Sequence, residues 1–258
     1  MLLEGRVAVV SGVGPGMGRD ISLALAGAGA DLVLGARTSS ALEAVGEQVE
    51  ALGRQVRCVP TDITDPDQCR RLVDAASGLG RVDVLVNNAF AEEDWRRFDG
   101  FDVERWRLPF EVNVFGTLQL SQAAVPHMRA GGGGSIVMIT TLSIHMVNAV
   151  LGGYAASKRS LTSAAQAMAR ELGAHAIRVN CVAPGHIWGR SLRHYFEFLA
   201  ERRGVTAQAV YDEIAATTAL NRIATSEEIA RVVLFFASDL SRVITGQTLD
   251  VNCGRTFS

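Results

Sequence analysis

Residues 6–18 read Arg6-Val-Ala-Val-Val-Ser-Gly-Val-Gly-Pro-Gly-Met-Gly18, an apolar, β-branched run that ends in a glycine-rich turn. No polar residue interrupts Val7–Val10, as a strand covered on both faces of a parallel sheet requires. A turn of this kind, set between a strand and a helix, can bring backbone N–H groups and the helix N-terminus to a pyrophosphate. Gly12, Gly16 and Gly18 are spaced Gly-x-x-x-Gly-x-Gly, which differs from the Gly-x-Gly-x-x-Gly of general dinucleotide-binding proteins. Taken alone, a turn that serves tight packing explains the glycines as well.

Outward from this stretch, short β-rich runs recur at Arg6–Val10, Asp31–Ala36, Gln55–Pro60, Val82–Asn87, Ser135–Thr140, Ile177–Val182 and Thr248–Val251. Segments with helical spacing lie between them. Asp65-Pro66 reads as an N-cap followed by proline at the first helical position, and Thr225-Ser-Glu-Glu228 as a capping box. The alternation predicts an α/β fold with a parallel sheet, right-handed crossovers and a ligand at the carboxyl ends of the strands. Gly131–Gly134 reads as a flexible connection into a strand. Pro109 falls inside the helical stretch Val103–Met128 and predicts a kink just before Asn113. Residues 186–216 form an aromatic-rich helical insertion before the last strand, a candidate substrate lid.

The length of 258 residues suits one domain, 1–258, and 48% apolar residues allow a sizeable core. A formal charge of -2 leaves no electrostatic footprint for nucleic acid. The N-terminus lacks the pattern of a signal peptide, and no apolar run is long enough to span a membrane, so a cytoplasmic protein without membrane association is expected. Cys58, Cys69, Cys181 and Cys253 are scattered and read as reduced thiols; no metal site is expected.

Tyr154 and Lys158 stand four positions apart, so a helix places them on one face. A free tyrosine titrates near about 10, and a neighbouring ammonium stabilises the phenolate and lowers that value. Such a pair alone usually marks an exposed helix face; the glycine loop upstream gives it a different weight. At the end of the second strand, where a carboxylate would accept hydrogen bonds from a free ribose 2′-OH, stand Ala36, Arg37, Thr38 and Ser39. A guanidinium and two hydroxyls suit a 2′-phosphate, which favours NADP(H) over NAD(H). Arg37 stacked on adenine or free in solvent is the competing reading.

From the glycine spacing onward, the chain resembles the short-chain dehydrogenase/reductase family over almost its whole length. The family's later signatures follow in order: Thr61-Asp62-Ile63, Asn87-Asn88-Ala89, Asn113, Tyr154-x-x-x-Lys158 and Pro184-Gly185. The resemblance implies a single-domain, Rossmann-type, doubly wound sheet of about seven parallel strands with helices on both faces. It implies hydride transfer between a nicotinamide cofactor and a secondary alcohol or ketone, with Tyr154 as general acid and base and Lys158 also holding the nicotinamide ribose. Gly12, Gly16, Met17 and Gly18 would form the cofactor's glycine loop. Asp62 would hydrogen-bond the adenine amine with Ile63 nearby, and Asn88 and Ala89 would pass the adenosine ribose. Pro184, Gly185 and the backbone of Ile187 would meet the nicotinamide. Asn113 would hold a water beside the lysine through its carbonyl.

Two departures stand out. The family's serine, thirteen residues before the tyrosine, is Thr141 here, with Ser143 as rival hydroxyl; Phe90 replaces the glycine that usually follows Asn-Asn-Ala. Pro15 also occupies a loop position where NADP-binding relatives often carry a second basic residue. Phe90, Ser143, His145, Trp188 and Tyr195 are the candidate substrate residues, and with Ile144, Met146, Val150, Leu192 and Phe196 they suggest a hydrophobic or ring-containing substrate. Relatives assemble as homo-oligomers, tetramers or dimers, through two long helices, often with a C-terminal segment such as Val243–Cys253. A catalytically impaired NADP(H)-binding regulator or scaffold is the alternative. Enoyl reduction is a third reading, disfavoured by the wider Tyr–Lys spacing that chemistry usually has.

Overall fold

In the computed structural model, which describes residues 1–92, 95–100, 102–146 and 148–257, nine strands run in chain order as β1 (Val7–Ser11), β2 (Asp31–Ala36), β3 (Val56–Pro60), β4 (Val84–Asn87), β5 (Gly134–Ile139), β6 (Ile177–Pro184), β7 (Ile187–Trp188), β8 (Ala224–Thr225) and β9 (Thr248–Val251). Seven of them form one sheet in the order β3-β2-β1-β4-β5-β6-β9, every pair parallel. All seven expected strands are present, with ends shifted by two residues at most. The exceptions to the expected list are the short parallel pair β7 and β8, too brief to leave an apolar period.

The helices are α1 (Met17–Gly27), α2 (Ser39–Ala51), α3 (Pro66–Asp74), α4 (Arg107–Phe110), α5 (Thr117–Ala130), α6 (Gly152–Leu172), α7 (Arg190–Arg203), α8 (Ala207–Ala215) and α9 (Ser226–Ala237). Alternate strand residues point to opposite faces. Val10, Leu34, Val86 and Val137 therefore pack with Leu25 of α1, Val45 of α2 and Val233 of α9. Val9, Val33, Leu85 and Met138 pack with Leu72 of α3, Leu120 of α5 and Leu161 of α6 on the other face. Burying both faces explains why these strands tolerate so few polar residues.

The order of strands reverses between β1 and β4, since β2 and β3 lie on one side of β1 and β4 onward on the other. At such a switch point the flanking loops part and leave a crevice at the carboxyl ends. The loop after β1 and the loop after β4 both end there.

The stretch Val103–Met128 is not one kinked helix. A 3-10 turn (Val103–Trp106) leads into α4, a π turn covers Glu111–Gly116, and α5 follows. Pro109 sits within α4, close to its start, where a missing N–H is tolerated. The wide turn comes after it and carries Asn113 inward to full burial. The Gly131–Gly134 run is a hydrogen-bonded turn: Gly133 N donates to Met128 O at 2.9 Å and Gly134 N to Ala176 O at 3.2 Å.

Both sequence-predicted caps are present. Asp65 accepts from the N–H groups of Asp67 and Gln68 at 2.8 and 3.2 Å ahead of α3. Thr225 and Glu228 close a reciprocal capping box on α9, which packs along α1 beneath the glycine loop. Thr225→Ala should cost about 1 kcal/mol and lower Tm by roughly 2–4 °C. An unchanged melting curve would show that the box carries no stability.

Candidate active site

Local sterics set the geometry of the glycine loop. Gly12 has φ +78°, and a Cβ on it would lie 2.4 Å from Ala89 N, so the loops after β1 and β4 touch backbone to backbone. A Cβ on Gly18 would lie 2.4 Å from the Gly12 carbonyl oxygen, so the first turn of α1 packs directly beneath that loop. Asn88 ties the two loops together by donating from Nδ2 to Gly12 O at 2.7 Å. Gly16 and Met17 stand at the N-terminus of α1, where no side chain caps the helix.

A cleft of about 660 Å³ opens here. It brings together Gly12, Arg37, Asp62, Ile63, Asn88, Ala89 and Phe90, residues far apart in the chain, with Leu108 and Val112 on one wall. Several features fit a pyridine dinucleotide. The α1 N-terminus offers uncapped N–H groups to a pyrophosphate. Asn88 Oδ1 is a buried acceptor that receives no hydrogen bond among the described residues. Arg37 is exposed and makes no ion pair among them. Asp62 does not cap α3, because Asp65 does; its Oδ1 accepts from Thr64 N at 3.0 Å and Thr64 Oγ1 at 2.8 Å.

Tyr154 and Lys158 lie on the N-terminal half of α6. Lys158 is 2% exposed, and its Nζ donates to Ile139 O, the last residue of β5, at 2.7 Å. Burial pulls its ammonium down to about 8. The Phe90 ring meets the Tyr154 ring edge-on, with centroids 6.4 Å apart.

Asn113 braces this helix from the π turn. Its Oδ1 accepts from Ala91 N at 2.8 Å, and its Nδ2 donates to Ala91 O at 2.8 Å and Ser157 Oγ at 2.9 Å. Ser157 in turn donates to the Tyr154 carbonyl at 2.8 Å. Thr141, just past β5, accepts from Ser143 N at 3.2 Å, and the two hydroxyl oxygens are 3.4 Å apart. Both hydroxyl candidates therefore occupy one spot.

Pro184 ends β6, Gly185 follows it, and Ile187 begins β7. Trp188 packs within a small separate core of α7 and α8, 4.7 Å from the Tyr211 ring and 5.9 Å from the Phe196 ring. Phe196 is 1% exposed, so it fills that core and does not face a substrate. Ile144 is likewise buried, and Leu192 packs on the same core. Tyr195 meets Trp95 edge-on at 5.4 Å. His145 Nε2 lies 3.1 Å from Asp250 Oδ1 of β9, whereas His194 pairs with Glu197 on the surface at 3.0 Å.

Sequence reading passed over four neighbours of the site: Trp95, Trp106, Ser157 and Asp250. Trp106 lies flat on the start of α6, since a Cβ on Gly152 or Gly153 would come within 2.8 Å of its ring. Ser157 was findable, because it stands three residues after Tyr154 on the same helix face. The tryptophans and Asp250 reach the site through tertiary packing that no local pattern signals.

The chain is similar to known oxidoreductases over nearly its full length. A family model described as enoyl-(acyl carrier protein) reductase matches residues 12–256. The 7alpha-hydroxysteroid dehydrogenase of Escherichia coli strain K12 is 33% identical over 253 residues, 98% of this chain and 94% of that protein. The crystal structure of carveol dehydrogenase from Mycobacterium avium in complex with NAD superposes with a TM-score of 0.91 at 28% identity, covering 98% of each chain. L-sorbose reductase from Gluconobacter frateurii, complexed with NADPH and L-sorbose, gives a TM-score of 0.93 at 27% identity, covering 100% of each.

The buried lysine carries a stability signature. Its folded value of about 8 lies below the roughly 10.4 of an unfolded chain, so the protonated folded state bears a desolvation penalty at neutral pH. That penalty relaxes as pH rises from 8 toward 10. Lys158→Met should therefore stabilise the protein at pH 7 by about 1–2 kcal/mol, after the loss of the donor to Ile139 O. The gain should shrink by pH 10. A variant less stable than wild type in neutral melting scans would contradict this account.

Proposed function

This chain belongs to the short-chain dehydrogenase/reductase family of nicotinamide-dependent oxidoreductases, and we propose that it moves a hydride between NADP(H) and the carbon of a hydrophobic or ring-containing secondary alcohol or ketone, with Tyr154 as general acid and base. Lys158 carries the reading. A cation that is 2% exposed is expensive to bury, and an apolar side chain would fill the place at less cost. Its position one turn from Tyr154 supplies a reason to keep it: the ammonium stabilises the phenolate.

In the reducing direction the Tyr154 hydroxyl gives its proton to the substrate oxygen, and in the oxidising direction the phenolate takes it back. When bound, the nicotinamide supplies or accepts the hydride. The hydroxyl of Thr141, or that of Ser143 beside it, orients the substrate oxygen. Asn113 fixes the loop after β4 to the catalytic helix, and its carbonyl holds a relay water beside Lys158. Gly12, Gly16, Met17 and Gly18 hold the pyrophosphate; Asp62 and Ile63 hold the adenine; Asn88 and Ala89 hold the ribose. Pro184, Gly185 and Ile187 hold the nicotinamide side.

Arg37 and Thr38 at the cleft rim, with Ala36 in place of an acid, support NADP(H). Phe90 against Tyr154, and Trp95 against Tyr195, supply flat apolar walls that suit a ring; similarity to a hydroxysteroid dehydrogenase agrees. We read residues 186–216, joined by Phe196, Ala200 and Val210 into a core of their own, as the substrate lid of a single domain. A groove between α5 and α6, lined by Phe115, Leu118, Val125 and Met168 together with Gln119, Gln122, Arg129 and Glu171, supports a homo-oligomer, tetramer or dimer. No helix among the described residues is long and apolar enough to cross a membrane, in keeping with a cytoplasmic enzyme. The non-catalytic alternative rests on the departures at Thr141 and Phe90, and the intact Tyr154 and Lys158 pair argues against it.

Tyr154→Phe should lower turnover by about 10²–10⁴-fold while NADPH affinity, measured by titration, stays near wild type; retained turnover would place the proton donor elsewhere. Wild type should show the higher kcat/KM with NADPH. Arg37→Ala should cut that value by about 10–100-fold with little change for NADH, the loss of one charge-assisted hydrogen bond. A wild-type preference for NADH would overturn the cofactor assignment.

A further inference from the structure

Residues 252–256 touch the first residue of the segment read as a lid, His186, and the chain just past its other end, at Ala219 and Leu220. At the first end, Gly185 N donates to Val251 O at 3.2 Å, and a Cβ on Gly185 would lie 2.8 Å from Asn252 Cβ. Arg255 Nη1 lies 3.3 Å from His186 Nδ1. At the other end, Ala219 N donates to Gly254 O at 3.2 Å and Leu220 N to Cys253 O at 3.1 Å. A Cβ on Gly254 would come within 2.7 Å of Ala219 Cβ. Two successive left-handed residues, Cys253 at φ +57° and Gly254 at φ +75°, make the tight turn that lets one short tail reach both ends. Asn252 holds the turn by accepting from Arg255 N at 2.9 Å and donating to Thr256 Oγ1 at 2.8 Å.

We propose that this tail is a two-ended latch on the lid and that Arg255, acting through His186, is a positioning residue for the reaction. The inference rests on reading 186–216 as the lid of a carbonyl reductase, and it adds what holds that lid. Because α7 and α8 share one small core, fixing both ends of the segment fixes it as a unit.

The contact has a defined charge requirement. A guanidinium has no acceptor, so His186 Nδ1 must accept and the ring must be neutral, with its proton on Nε2. His186, Arg222 and Arg255 line one small cavity with Ile214, Thr218 and Asn252, and no carboxylate lines it. Arg222 brings its own acid, Glu228 of α9, at 2.7 Å. Among the described residues, His186 Nδ1 is the sole acceptor of the Arg255 guanidinium, whose Nε is buried without a partner. Burial and the Arg255 charge hold His186 below the ordinary histidine value. Protonation turns the acceptor into a donor facing a cation, so the latch releases. An open lid titrates near the free value of about 6.5, binds protons more readily than the closed one, and gains population as pH falls below that value.

Hydrogen exchange of the full-length protein, read by mass spectrometry on lid peptides within 190–215, tests this without needing turnover or cofactor. Arg255→Met should speed lid exchange about five- to tenfold at pH 7.5 and leave β1 peptides unchanged. Arg255→Lys should restore part of the protection. After correction for intrinsic rates, wild type should exchange faster in the lid at pH 5.5 than at pH 7.5. His186→Gln keeps an acceptor that does not titrate, so its lid should show the same protection at both values. Lid protection unaffected by Arg255→Met, or a pH response that survives in His186→Gln, overturns the latch. If Arg255→Met also loosens β1, the His186→Gln pH comparison decides the matter. In a turnover assay, Arg255→Met should raise the KM for the ketone several-fold. A wild type that reduces no ketone yet shows the expected lid exchange would refute the proposed reaction and leave the latch standing.

Discussion

The backbone contact between Gly12 and Ala89 at the switch point of the sheet is the constraint on which the site depends. Any side chain at position 12 would collide with the loop after β4. From this contact a line of bonded groups runs to the reacting centre. Asn88 donates to the Gly12 carbonyl, Ala91 exchanges two hydrogen bonds with Asn113, and Asn113 reaches Ser157, which holds the Tyr154 carbonyl. The glycine loop and α6 are thereby held through one short loop, 88–91. A displacement of that loop would move Gly12 and the Tyr154 turn of α6 together, which under the proposed mechanism would keep hydride donor and proton donor in register.

The fold was legible because strands buried on both faces leave continuous apolar runs, and because caps such as Asp65-Pro66 and Thr225–Glu228 act over three or four residues. Gly12, Arg37, Asp62, Asn88 and Ala89 could be assembled from sequence order alone, since every one follows a strand and the sheet delivers strand ends to one edge. The broken helix around Asn113 was less legible. Pro109 announced an irregularity, but the π turn answers to two distant demands, the side-chain bonds to Ala91 and the closeness of Gly116 to Ile63, where a Cβ would lie 2.9 Å from Ile63 Cγ1. Phe196 was misplaced for a related reason: an aromatic-rich insertion has the composition of a substrate wall and of a small core alike, and burial alone separates them.

Three buried polar groups near the cleft and the lid stand out. Asn88 Oδ1 lacks a donor at the cleft, Arg255 Nε lacks an acceptor behind the lid, and Lys158 keeps a charge where water cannot reach it. The buried carboxylate of Asp83, by contrast, accepts from Arg6, Arg81 and the backbone of Val7. Asn88 Oδ1 is thus an acceptor already in place at the cleft, and a group fixed before a ligand arrives spares the reorganisation that binding would otherwise demand. The same logic gives the departures at Thr141 and Phe90 a reading. Thr141 keeps a hydroxyl and has a methyl that restricts χ1, while Phe90 sets its ring edge-on to that of Tyr154. On the proposed mechanism neither change alters the Tyr154 and Lys158 side chains themselves, so both would bear on which substrates fit rather than on the proton transfer.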